Sequence, residues 1–145
     1  SVTWTQTNGY WPLYLNLENN DATFGGAIWA AGNITAYSDE KLKTNWGVLP
    51  DNYVTRLAQV KSGTYDRIDT GIRQVGVSAQ SFQMLLPEAV EHHEKEDVLS
   101  VAYGNAALAS AVELAKEIVK LREICDEHQK IIQEMRAEIQ ALKSK

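Results

Sequence analysis

The C-terminal part of the chain carries a pattern that nearly dictates its structure. Residues 105–145 contain no proline, glycine or aromatic residue, and helix-forming residues dominate, so one long helix is predicted. Its apolar residues follow a heptad repeat, which is the pattern of a coiled coil. With Ala111 at position a, the predicted seam at a and d is Ala111, Leu114, Ile118, Leu121, Cys125, His128, Ile132, Met135, Ile139 and Leu142. Such a helix needs partner helices.

The number of helices in this coiled coil is left open by the heptads alone. Ile at a combined with Leu at d favours two parallel strands. Ile124 and Ile131 at position g widen the apolar face, and a wider face is easier to bury among three helices than between two. Glu117 and Arg122 fall at g and e′ positions that pair across parallel strands. We favour a homotrimer.

Two groups of residues invite a metal-site interpretation, which we do not adopt. Cys125 at a and His128 at d lie in the seam, where one polar residue per chain more often fixes the register of the helices. His92 and His93 lie among acidic residues, where a solvated loop is the favoured interpretation. No metal and no cofactor are predicted.

The first 37 residues differ in composition from all that follows. They contain no Lys or Arg and seven of the chain's aromatic residues, and Tyr14 to Glu18 alternates apolar and polar residues as a β strand does. Turns are predicted at 19–21 and 25–26. So short a β-rich segment buries little by itself, so it is predicted to pack against copies of itself or an upstream partner. Its tryptophans are interpreted as filling an interlocked β shaft rather than stacking on sugars: Trp4, Trp11 and Trp29.

Between residues 38 and 103 the pattern is mixed, which predicts an α+β fold. A short helix is predicted from an N-cap at Asp51 to a stop at 61–63, and a helical turn or two at 81–86 ends at Pro87. Strands are predicted at 71–77 and 98–101, with a charged loop between at 91–97.

Charge and length exclude several classes of protein. The net charge of −5 and the pI near 5.2 argue against a nucleic-acid binder that depends on a basic field. No stretch approaches the roughly 18 apolar residues of a membrane span, so no membrane partner is predicted. The one cysteine offers no intrachain disulfide. Because the chain opens with Ser1, we interpret it as a fragment of a longer protein.

Candidate chemistry lies where the composition changes. Ser38 precedes two lysines, Lys41 and Lys43, and a lysine whose pKa is lowered by loss of water contact can act as the base that activates a serine hydroxyl. By itself this string is weak, since Ser38 and Asp39 also suit a polar turn or a helix N-cap.

Four sequence blocks in a fixed order make a catalytic role for Ser38 and Lys43 more specific. SDEKLKTN, NYVTRLAQVKSGTYDR, GIRQVGVSAQSFQMLLPEAV and LSVAYGNAALASAVELAKEI together resemble the intramolecular chaperone auto-processing domain of phage tail fibres, tail spikes and endosialidases. The resemblance runs from about Ser38 to about Leu121. It departs from the family at Lys41, where Arg is common, at Trp46, where an aliphatic residue is usual, and at Val77-Ser78, where Ile-Ala is typical. None of these departures touches Ser38 or Lys43.

The resemblance implies a function for each part. Residues 1–37 would be the end of a fibre or spike shaft, and residues 38–145 a chaperone that trimerises the shaft in the host cytoplasm during virion assembly. The chaperone would then act as a single-turnover serine endopeptidase, cutting between Tyr37 and Ser38 and leaving the shaft in the virion tail.

The resemblance also implies roles for the residues around the cut. Ser38 would be the nucleophile and Lys43 its base. Chemistry rather than the resemblance suggests two supporting roles: Asp39 would orient Lys43 or brace the turn, and backbone amides or the Asn45 side chain would be donors to the oxyanion. Lys41 remains an alternative base, because Ser38 and Lys41 match the S-x-x-K spacing of penicillin-binding enzymes, which requires Ser38 to open a helix.

Two other functions stay open. A structural trimerisation tip would carry the same fold and never cut itself. A generic coiled-coil adaptor would bind another helix, but it leaves the β-rich segment unexplained.

Overall fold

A computed structural model of the chain describes residue 6 and residues 9–145. Its helices and strands are β1 (Leu13–Asn16), β2 (Asp21–Phe24), α1 (Tyr53–Leu57), β3 (Ser62–Asp66), β4 (Arg73–Val77), α2 (Ala79–Gln83), β5 (Val90–His93), β6 (Val98–Val101) and α3 (Tyr103–Lys143). Two short 3-10 helices lie at Glu40–Leu42 and Pro87–Ala89. This mixture of small β hairpins with a long C-terminal helix confirms the α+β prediction.

The chain divides into two compact units. One contains residues 1–47 and 65–74, and the other contains residues 48–64 and 75–145. The predicted functional boundary between residues 37 and 38 stays a prediction.

The first unit contains the predicted hairpin. β1 pairs antiparallel with β2 so that Leu13 lies opposite Phe24, and Asn20 takes the left-handed conformation that a tight turn requires, with φ of 64°. A strand and a turn form where they are predicted, but β1 ends at Asn16 rather than Glu18 and the turn occupies residues 17–20. A Cβ at Gly25 would lie 2.2 Å from the Trp11 carbonyl oxygen, so only glycine fits where the chain leaves the hairpin.

The role predicted for the N-terminal tryptophans stays a prediction. Trp29 is 92% exposed and Trp11 46% exposed on the single chain. Trp4 lies outside the described residues.

The core lies in the second unit. Its buried residues come from α1, α2, the turn that follows α2, the 3-10 helix Pro87–Ala89 and the first turn of α3: Tyr53, Phe82, Leu85, Leu86, Ala89 and Ala106. Val90 and Val101, which are paired across the β5–β6 hairpin, pack against this cluster. The core therefore connects the start of α3 to the rest of this unit.

Three predicted local features of this unit were wrong. Asn52, not Asp51, is the N-cap of α1, and its side chain makes no capping hydrogen bond. Residues 91–97 are not a loop, because Glu91 to His93 continue β5 and only the residues after them turn. The predicted helix stop at 61–63 is also wrong, because α1 ends at Leu57 and Ser62 already begins β3.

The predicted long helix is confirmed, although α3 begins at Tyr103 rather than near 105. Its seam residues are exposed on the single chain, with Leu121 52% and Ile132 44% exposed. A row of exposed apolar residues along one helix face fits the predicted coiled coil, and the trimer remains a prediction. Among the described residues, no helix combines the length and apolarity that crossing a membrane requires.

Tyr53 is expected to contribute to stability through its hydroxyl. The side chain is 1% exposed, and its hydroxyl lies 2.8 Å from Ser110 Oγ. Tyr53→Phe would leave the Ser110 hydroxyl buried without this partner, so the free energy of unfolding should fall by about 1 kcal/mol in urea denaturation. Adding Ser110→Ala should recover most of the loss, because both polar groups are then absent. A double variant less stable than Tyr53→Phe would contradict this account.

Candidate active site

A tight turn brings Ser38 and Lys43 together. Lys43 Nζ donates hydrogen bonds to Ser38 Oγ, at 2.7 Å, and to the Ser38 carbonyl oxygen, at 2.9 Å. The turn itself is the 3-10 helix Glu40–Leu42, which the backbone N–H of Lys43 closes by donating to the Glu40 carbonyl at 3.0 Å. The five-residue spacing therefore becomes a direct contact between the hydroxyl and the amine.

Asp39 holds the beginning of this turn. Its Oδ1 accepts from the backbone N–H of Lys41 at 3.0 Å, as an N-cap does. Its Oδ2 lies 3.1 Å from Lys41 Nζ. Of the two roles that the sequence left open for Asp39, bracing the turn is the one that these contacts serve.

These contacts also affect the carboxyl group of Asp39. The backbone N–H of Lys41, its ammonium group and the charge of Lys43 hold the pKa of Asp39 below its ordinary value. Because the pKa of Asp39 is lower in the folded chain than in the unfolded chain, its carboxylate stabilises the turn at pH values above the unfolded-state pKa. The support is lost as the pH falls through the folded-state pKa.

Lys41 points elsewhere than Lys43. Its side chain is 77% exposed and reaches the Asp39 carboxylate. The helical turn begins at Glu40, after the Asp39 cap, so Ser38 does not open a helix as the S-x-x-K alternative requires.

Three further residues lie close to this contact in the sequence. Tyr37 is 99% exposed, which leaves the bond before Ser38 accessible on the single chain. Asn45 takes the left-handed backbone conformation, with φ of 55°, as the chain turns. Lys43 Nζ lies 5.3 Å from the ring centroid of Trp46, within the range of a cation–π contact. In the sequence, Trp46 stands out only as a departure from the family pattern, and its position three residues after Lys43 is the signal for this contact.

The arrangement suits proton transfer between a hydroxyl and an amine. At 2.7 Å, Lys43 Nζ is within hydrogen-bond reach of the Ser38 proton. An amine accepts that proton only in its neutral form, which exclusion of water favours. Both side chains are exposed on the single chain, so any such exclusion must come from additional packing.

The other candidate groups are not assembled into a site. His92 Nε2 lies 3.0 Å from Asp97 Oδ1, and His93 Nε2 lies 2.8 Å from Ser100 Oγ, all within the β5–β6 hairpin. Within the part of the chain that the structure describes, no three His, Cys, Asp or Glu residues are placed to hold a metal ion. Cys125 is a free, exposed thiol.

Comparison with known proteins identifies the class of domain. Residues 38–91 match the peptidase family described as the chaperone of endosialidase. This match begins at Ser38 and confirms the resemblance found in the motifs, so these residues are a chaperone-of-endosialidase domain. The family is of the self-cleaving serine peptidase type.

Relatives of known context lie in bacteriophage tails. The chain is 31% identical over 115 residues to the long tail fiber protein Gp37 of Enterobacteria phage M1, and equally to that of Enterobacteria phage Ox2. Each alignment covers 68% of this chain and 46% of the relative. The chain thus spans about half the length of the curated relatives it matches.

Proposed function

We propose that this chain contains the C-terminal intramolecular chaperone of a phage tail fibre or spike. It associates into a trimer, folds the shaft to which it is attached, and then cuts itself off between Tyr37 and Ser38. The family match over residues 38–91 and the likeness to long tail fibre proteins support the chaperone role. The contact between Lys43 Nζ and Ser38 Oγ carries the proposal of self-cleavage.

The proposed reaction uses Ser38 as the nucleophile on its own peptide bond. Neutral Lys43 takes the hydroxyl proton, and Ser38 Oγ attacks the carbonyl carbon of Tyr37. The C–N bond to Ser38 breaks, its nitrogen takes the proton from Lys43, and Tyr37 is left as an ester on Oγ. Water then hydrolyses the ester, which gives a carboxylate at Tyr37 and restores the hydroxyl. The chain cuts once because nucleophile and substrate are adjacent residues.

Cleavage after assembly has a physical rationale. Strands from three chains that interlock must lose much conformational entropy before their contacts form, and a covalently attached trimer seed raises the local concentration and fixes the register. Once the shaft is folded, the seed is dispensable. Once the seed is removed, the shaft cannot unfold by reversing the seeded assembly, which makes the shaft kinetically stable. Assembly would occur in the host cytoplasm and the shaft would remain in the virion tail.

Assembly also offers the water exclusion that the chemistry needs. Ser38 and Lys43 are exposed on the single chain, and packing against neighbouring copies would shield them. Shielding from water favours the neutral form of an amine, which can then activate the Ser38 hydroxyl. We therefore infer that the site is competent only in the oligomer.

Mass and association measurements test the whole proposal. Purified chain should convert to fragments 1–37 and 38–145, and intact-mass measurements over time would detect this conversion. Sedimentation measures the number of subunits. A chain that trimerises and stays whole would instead be the structural trimerisation tip. Fragments ending anywhere other than after Tyr37 would contradict the proposed scissile bond.

Trp46 is expected to affect the rate of cleavage through Lys43. An exposed cation–π contact favours the protonated amine by about 0.5–1 kcal/mol, and Lys43 must be neutral to act as the base, so Trp46→Leu should speed cleavage by about 2- to 5-fold. Trp46→Phe keeps an aromatic face and should cleave at close to the parental rate. Equal rates for the Leu and Phe variants would show that the ring does not act on the amine.

A further inference from the structure

The first part of α3 has three faces with different roles. One face is covered by the rest of its own unit, where Ala106 and Ser110 are buried. A second face carries the a and d residues of the predicted seam. The third face carries heptad positions b and e, and between residues 108 and 119 every one of these positions is apolar: Leu108, Val112, Ala115 and Val119.

This third face, here called the b/e stripe, is exposed on the single chain. Leu108 is 70% exposed, Val112 47% and Val119 53%. The stripe ends abruptly, because from Arg122 and Asp126 onward every b and e position up to the end of α3 is polar or charged. A coiled coil alone buries its a and d positions and leaves b in water. An apolar stripe at b therefore indicates a second layer of protein around this part of the helix.

The position of the stripe indicates what that layer is. The face buried by the chain's own domain lies at heptad positions c and g: Ala106 at c, Ser110 at g, and Glu113 at c with a side chain only 17% exposed. In a parallel coiled coil, position g of one helix faces position e of the next. The groove between two neighbouring helices is therefore lined by c and g of one helix and by b and e of the other.

A domain seated in that groove contacts both helices. It already covers the c and g side of its own helix around Ala106 to Glu113. The b/e stripe at 108–119 lies at the same level along the axis, on the side of the groove that belongs to the neighbour. Apolar residues exposed on the same unit, among them Met84 at 78% and Val75 at 75%, provide surface of matching chemistry.

We propose that the b/e stripe of each helix is covered by the small domain of a neighbouring copy of this chain, formed by residues 48–64 and 75–102. Each domain then bridges its own helix and the next, and the contact closes in a ring, as a heterologous interface with rotational symmetry does. The inference rests on the parallel self-association in the proposed function. It adds a second interface, distinct from the seam.

Site-specific photo-crosslinking tests this interface. p-Benzoylphenylalanine replaces Val112 in the full chain carrying Ser38→Ala, which keeps it in one piece, and isotopically labelled and unlabelled chains are mixed before irradiation. Mass spectrometry of the linked peptides then separates links within a chain from links between chains. The same probe at Gln133, also at position b but in the polar part of α3, is the matched control, and a probe at Ala115 covers a disruptive effect at Val112.

The outcomes separate this inference from the function on which it rests. Links from Val112 or Ala115 to residues 48–64 or 75–102 of another copy, absent from the Gln133 probe, are the expected result. A trimer in sedimentation whose Val112 and Ala115 probes link only within the chain, only to another α3, or not at all would overturn the second interface alone. A monomer would overturn both the interface and the proposed self-association.

Discussion

Ser38→Ala is expected to leave the chain whole. Without the hydroxyl there is no nucleophile to form the ester at Tyr37, and loss of a serine nucleophile costs a factor of a thousand or more in comparable enzymes, so the rate should fall by at least about 1,000-fold. Intact mass measured over days should show one species. The variant should still associate, because Ser38 lies far along the sequence from the seam of α3.

Lys43→Ala is expected to slow cleavage by about 100- to 10,000-fold, the usual contribution of a positioned base. Lys41→Ala is its matched control, since it removes an ammonium group from the same short turn. Lys41 reaches Asp39 rather than Ser38, so its loss should change the rate by less than about 5-fold, which is the scale of an exposed ion pair. If Lys41→Ala blocked cleavage and Lys43→Ala did not, the assignment of the base would be wrong.

The contact behind this prediction was only partly visible in the sequence. The spacing of Ser38 and Lys43 does not specify contact, because residues five apart on a regular α helix lie on different faces. The 3-10 turn, capped by Asp39, sets the contact. An aspartate before Glu40 was a visible cap signal, but the type of turn was not.

The long helix and the first hairpin were predictable for a different reason. Each depends on a strong local pattern. The helix follows from the absence of helix breakers from 105 to 145, and the hairpin from the Asn-rich turn at 19–21. Local physics alone determines such elements, so composition and period suffice.

The sequence did not predict β5 and β3, because these strands form by pairing with a neighbouring strand rather than by local preference. Glu91, His92 and His93 look like a solvated loop, yet they pair with β6 as an exposed hairpin strand. Only Val90, half-buried against the core, faces inward, so no alternation of apolar residues marks the strand. Strand propensity depends on the partner, which the local sequence does not reveal.

Leu121→Asp is expected to abolish self-association and, with it, cleavage. Leu121 occupies a d position, is 52% exposed on the single chain and would be buried in the seam. Burying a carboxylate costs several kcal/mol, and parallel copies bring these charges together in one layer, where they repel. Sedimentation should show monomers, and intact mass should show no cut.

Ala137→Asp separates this effect from a mere change of charge. Ala137 lies at position f of the same helix, which faces water in a coiled coil, so this variant should associate and cleave as the parent chain does. The pair also tests whether assembly arms Ser38, because neither substitution touches the residues around the scissile bond. A monomeric Leu121→Asp chain that still cut itself at the parental rate would show that Lys43 needs no shielding by neighbouring copies. The seam would then serve folding of the shaft alone.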